Sequence, residues 1–198
     1  MRSREIRARR ARSGRLVAAI ALLIVTASVA GCDSKTDTSK PPPTVEDFCT
    51  PFLNYFRTDF PIDTVKPSYL TGKRQADQPV KDAFTCVFDP VKAGNPSLTA
   101  SVALRPTRAD ESDGGLTPYL KENHFAPLPG HGKEIWIRDA RTKTGPIQTK
   151  GVVELTTRID PWVGSMEIIN ENDTLVITDE QIGNAAELLI KNTEALSQ

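Results

Sequence analysis

Three cysteines, Cys32, Cys49 and Cys86, are the most reactive side chains in this 198-residue chain. A thiol can act as nucleophile, metal ligand or half of a disulfide, and an odd number leaves one to be explained separately. Metal chemistry has little to work with. The two histidines, His124 and His131, flank a proline-rich turn, and no His/Cys pair has ligand spacing, so neither a metal nor a cofactor is expected. Asp110, Glu111 and Asp113 precede Gly114, but the spacing and closing glutamate of a calcium loop are missing; this stretch reads as a solvated turn. Val163-Gly164-Ser165-Met166-Glu167 holds half of a nucleophile elbow, without its second glycine and inside a strand-like pattern. A hydrolase using Ser165, or a pair of the scattered carboxylates, is therefore a secondary reading, and no catalytic residue is assigned. The aromatic side chains offer a different chemistry. Trp136 alternates with Ile135 and Ile137, and Trp162 opens a strand after Pro161. With Tyr119 they are the candidate ligand or partner surface, since exposed tryptophan on a sheet marks such sites. A second layer packed over the sheet accounts for Trp136 equally well and is preferred.

Charge is unevenly placed. Residues 1–31 hold seven of the 25 basic residues and one of the 25 acidic ones, so 18 basic and 24 acidic residues follow, a net charge of −6 from Cys32 onward. That balance excludes a uniformly basic surface for nucleic acid. The arginines stand before an apolar run, Leu16 to Ala30, whose 15 residues fall short of the roughly 20 of a spanning helix. Length and flanks fit a signal-peptide core. The run ends in Val29-Ala30-Gly31-Cys32, which resembles the lipobox of bacterial lipoproteins. The resemblance implies cleavage before Cys32, a diacylglycerol on its sulfur, and an anchor on the extracytoplasmic face of the cell membrane. Burying acyl chains contributes roughly 0.8 kcal/mol per CH₂, and two chains hold stably. An ordinary signal peptide with an incidental cysteine is the alternative. Three segments follow from this: a signal peptide at 1–31, the modified cysteine and a Pro/Thr-rich tether at 32–44, and a single domain at 45–198. The tether DSKTDTSKPPPT has no apolar residue but proline and extends at most ~40 Å.

Within the domain, Val45, Phe48, Cys49, Phe52, Leu53 and Phe56 form a helical stripe behind the capping-box-like Thr44-Val45-Glu46-Asp47. Pro51 either kinks that helix or marks its first turn, with the start then at Thr50. Residues 57–82 read mainly as loop. Strands are expected at 83–89, 97–105, 133–139, 151–160 and 162–170, on alternating apolar positions such as Leu98, Ala100, Val102 and Leu104. A turn at 109–115 and a short helix from Thr117-Pro118 to about His124 fall between them, and a long basic loop, RTKTGPIQTK, joins two of the strands. Thr178 caps a last helix with Gln181 at the capping-box position. Runs of strands point to an α+β fold: an antiparallel sheet of about five strands with the N-terminal and C-terminal helices on one face. Cys49 and Cys86 both point inward, so a disulfide is expected in an oxidising compartment and would contribute ~4 kcal/mol through loop entropy. Two buried thiols are the alternative.

FCTPFL at 48–53, FTCVF at 84–88 and the Gly132 to Trp136 strand start, together with the Arg-rich signal and tether, resemble the small secreted lipoproteins of unknown function of mycobacteria and related actinobacteria. Many of those carry a tryptophan soon after the second cysteine, where Phe88 stands here. The resemblance implies an envelope-associated, non-catalytic domain for sensing, ligand binding or protein interaction. The expected partners are the membrane, through the lipid on Cys32, and a lipid, cell-wall or envelope-protein ligand; a structural accessory subunit is a further possibility.

Overall fold

A computed structural model describes residues 41–60, 65–69, 76–90, 98–144, 147–170 and 175–198. The expected signal peptide, Cys32 and most of the tether lie outside the described residues. Helix α1 (Val45–Asp59) starts at Thr44, whose hydroxyl accepts from Asp47 N while the Asp47 carboxylate accepts from Thr44 N. Pro51 lies within this helix, which begins well before Thr50. Strand β1 (Val65–Tyr69) follows, then β2 (Phe84–Pro90) and β3 (Leu98–Pro106). Helix α2 (Leu116–Glu122) comes next, led in by a π-helical turn, Glu111–Gly115. The short β4 (Ala126–Pro127), β5 (Ile135–Asp139), β6 (Thr142–Thr144), β7 (Ile147–Ile159) and β8 (Trp162–Asn170) precede the closing helix α3 (Asp179–Ala195).

The fold is α+β with an antiparallel sheet in the order β1-β2-β3-β8-β7-β5-β4, and β6 pairs with β7. Six strands have five residues or more, one beyond the expected five. The additional one is β1, inside the stretch read as loop. Pro67 hid it, yet β1 is an edge strand, where proline is tolerated because one side of the ladder is unpaired. The basic loop also differs from expectation: β6 folds back on an early extension of β7.

Alternate strand residues meet α1 and α3 on one face. Phe84, Cys86, Phe88, Leu98, Val102, Leu104, Leu155, Met166 and Ile168 are sealed there against Phe48, Phe52, Phe56, Ile182, Ala186 and Leu189. Phe48 packs edge-on against Phe84 at 5.1 Å, and Phe56 lies 5.2 Å from Phe88. Cys49 and Cys86 form a disulfide that joins α1 to β2, with Cα atoms 6.0 Å apart. Gly164 belongs to this packing: a Cβ there would overlap the Thr193 hydroxyl of α3, so the missing side chain lets the helix approach the sheet. The two long helices are linked directly, with Tyr55 donating its hydroxyl to Gln181 O at 2.9 Å. Burial, and secondarily Asp59, push the Tyr55 phenol above its ordinary range. Among the described residues no helix is long and apolar enough to cross a membrane.

Not all helices share that face. Residues Leu116, Leu120, Trp136 and Val163 form a second, smaller cluster with Phe125 at its border. The N-terminal and C-terminal helices share the first face as expected, and α2 covers the opposite side of the sheet as the second layer over Trp136.

Candidate functional site

The two tryptophans do not form a shared surface. Trp136 is 6% exposed beneath α2, and its indole N–H donates to Glu134 Oε1 at 2.6 Å. Trp162 is 9% exposed and belongs to the main core; its indole N–H donates to Leu196 O at 3.1 Å. An apolar body and one satisfied N–H are the usual terms on which tryptophan is buried. Of the three candidates only Tyr119 is open, at 60% exposure. The histidines do not converge either. His124 ends α2 in a left-handed conformation (φ 64°), and His131 packs by α3 with Nδ1 4.0 Å from Glu187. No group of three metal-ligating side chains occurs among the described residues. The 109–115 stretch is helical rather than a turn, and Glu111 points inward instead of into solvent. Cys32 lies outside the described residues.

The cross-strand register brings polar side chains together on the second face. Arg138 of β5 is opposite Glu154 of β7, and Thr156 of β7 is opposite Ser165 of β8. Val163 of β8 stands between Arg158 of β7 and Arg105 of β3. Helix α2 crosses this array and presses Leu116 and Leu120 onto Trp136 and Val163. A cleft remains on each flank of the helix. One, of about 260 Å³, is lined by Tyr119, Asn123, Phe125, Arg138, Glu154 and Ser165 among others. The other, of about 330 Å³, runs past Gly114, Thr117, Trp136 and Arg158. Leu116 borders both.

Ion pairs hold the helix and the walls of these clefts. Arg105 grips Glu111 with both terminal nitrogens, at 2.6 and 2.5 Å, and the Arg108 N–H donates to the same carboxylate at 2.9 Å. The Arg105 hydrogen bond, helped by Arg108, holds the Glu111 carboxyl below its usual range despite burial. Arg158 donates to the Glu111 backbone oxygen and, twice at 3.0 Å, to Asp160. Arg138 donates to Glu154 through Nε at 3.1 Å and through Nη2, while its guanidinium lies 5.4 Å from the centre of the Phe125 ring. The π-helical turn sets the Glu111 end of this network. Its closure needs glycine at 115, where a Cβ would overlap Asp110 O. Such turns are rare and recur at functional sites.

Ser165 reaches the first cleft, but no hydrogen bond joins it to a histidine or carboxylate among the described residues. The arrangement can position donors and acceptors around a ligand; it lacks the nucleophile–base geometry of acyl transfer. Sequence reading missed Arg105, Glu111, Arg138 and Glu154 as a set. Their one signal was position, since Arg105, Arg138 and Glu154 occupy strand places that alternate with the core residues. No known protein family, curated protein or solved structure matches this chain.

Proposed function

We propose that the chain is a bacterial lipoprotein, anchored by a lipid on Cys32 at the extracytoplasmic face of the cell membrane, whose 45–198 domain is a non-catalytic binding module. The reading of its location rests on the Arg-rich start, the apolar run and the Val29-Ala30-Gly31-Cys32 sequence. The reading of its activity rests on the cleft beside α2, where paired arginines and carboxylates fix a polar wall next to an exposed tyrosine. Binding sites of this kind combine an apolar flank with a few oriented polar groups.

Two experiments test the two halves. Cells producing the full chain should incorporate labelled fatty acid into it, and Cys32→Ala should abolish the label and release the protein from membranes; undiminished label in the variant would end the lipoprotein reading. Membrane extracts passed over the immobilised full chain should yield a lipid, glycan or protein retained by the wild type and lost with Tyr119→Ala. If retention is identical for both, the cleft is not the binding site.

A further inference from the structure

We infer that the cleft lined by Tyr119, Asn123, Phe125, Arg138, Glu154 and Ser165 takes a single uncharged sugar ring of a glycan. The inference rests on the binding-module reading and assigns its ligand class. Charge is the first argument. Both arginines of the cleft are already matched, Arg138 by Glu154 and Arg105 by Glu111. A phosphate or carboxylate would have to displace a fixed glutamate, and a cation would have to displace an arginine. A neutral ligand displaces neither.

The polar groups left over are the second argument. Asn123 uses Nδ2 on Tyr119 O at 2.8 Å, which leaves its Oδ1 as an acceptor. Arg138 meets Glu154 through Nε and Nη2, which leaves Nη1 as a donor. The Ser165 hydroxyl can serve as either. Donors and acceptors that alternate within one small cleft match vicinal hydroxyls, each of which both gives and accepts. An acyl chain would leave all of them without partners.

Shape is the third. Tyr119 offers a broad, open ring at the rim, and Phe125 is fixed beside Arg138. An aromatic face next to hydrogen-bonding groups suits the C–H face of a pyranose. The volume, about 260 Å³, is below the roughly 300–1,000 Å³ of clefts for drug-sized ligands and fits one ring of a longer chain.

The test is a titration of ¹⁵N-labelled full-length protein in detergent with maltose, cellobiose, mannobiose and N,N′-diacetylchitobiose, with glucuronate and inorganic phosphate as anionic probes. At least one neutral disaccharide should give saturable shifts at the amides of Tyr119, Asn123, Phe125, Arg138 and Ser165. Tyr119→Ala should weaken that binding roughly tenfold, the loss expected when an aromatic contact is removed. Because Tyr119 is exposed, that variant should keep the wild-type melting temperature, so lost binding cannot be attributed to unfolding. No saturable shift with any neutral sugar, or shifts produced at these residues by phosphate or glucuronate instead, would overturn the inference. If the sugars fail while membrane extracts still yield a Tyr119-dependent lipid or protein, the binding module stands and only its ligand class is wrong. If both fail, the cleft has no binding role.

Discussion

On the face of the sheet that meets α1 and α3, alternate strand positions carry Phe84, Phe88, Val102, Leu155 and Met166, all at or below 2% exposure. On the opposite face the same strands carry Thr156, Ser165, Glu154 and Arg105; Glu154 pairs with Arg138 and Arg105 with Glu111, around a patch of four buried residues shared between α2 and the sheet. The first face is held by non-directional burial, which tolerates exchange of one apolar group for another of similar volume. The second depends on directional pairs, each of which fails when one member is lost. Stability therefore comes mainly from one side of a single sheet, and the cleft proposed for binding lies on the other.

The contrast can be broken from either side, starting with the largest effect. Phe52→Ala should cost about 3–5 kcal/mol, because Phe52 is fully buried against Phe48 and a cavity remains after truncation. Its urea midpoint should fall sharply, and a fall no greater than that of a surface substitution would contradict the assigned core. Glu111→Gln should cost about 1.5–3 kcal/mol by unpairing the Arg105 guanidinium, the usual worth of hydrogen bonds to charged groups.

That glutamate also gives the second face a pH dependence. Its folded-state pKa is depressed, so the native state holds fewer protons than the unfolded chain just below the ordinary carboxylate value of ~4.3. The stability it contributes is complete above that value and is lost as pH falls through the folded pKa. Wild type and Glu111→Gln should accordingly differ most near neutrality and converge in acid; a constant gap across the range would show that the Arg105 pair is not responsible. The smallest effect is expected for Tyr119→Ala, within about 0.5 kcal/mol in thermal unfolding, since its side chain is open to solvent.

How much of this was legible in the sequence follows the same division. Apolar alternation at Leu98, Ala100, Val102 and Leu104, the caps at Thr44 and Thr178, and the inward cysteines lead directly to the first face, because periodicity reports which side of an element avoids water. Polar side chains on the second face follow the same alternation, but it does not say which of them meet. Arg138 and Glu154 are 16 residues apart and meet through strand register, which a single sequence does not state. The π-helical turn was hidden by ESDGG, whose composition is that of a loop. Trp136 was readable as facing away from the core, but its cover, α2, depends on where the chain returns after β3.

The disulfide also has a mechanical consequence. Tension applied from the N-terminal side arrives at Pro43 and Thr44, which are bonded across to the 78–80 segment: Val80 N–H donates to Pro43 O at 2.9 Å, and Val45 N–H to Gln78 O at 3.0 Å. Hydrogen bonds of this kind can be peeled one at a time. Five residues into the domain the load reaches Cys49, where a covalent bond diverts it to Cys86 on β2, a strand flanked on both sides by others. Unravelling from that end stops there: the load enters the sheet directly at β2, and the chain between the two cysteines, α1 beyond Cys49 and β1 included, is bypassed as long as the sulfur bridge remains oxidised.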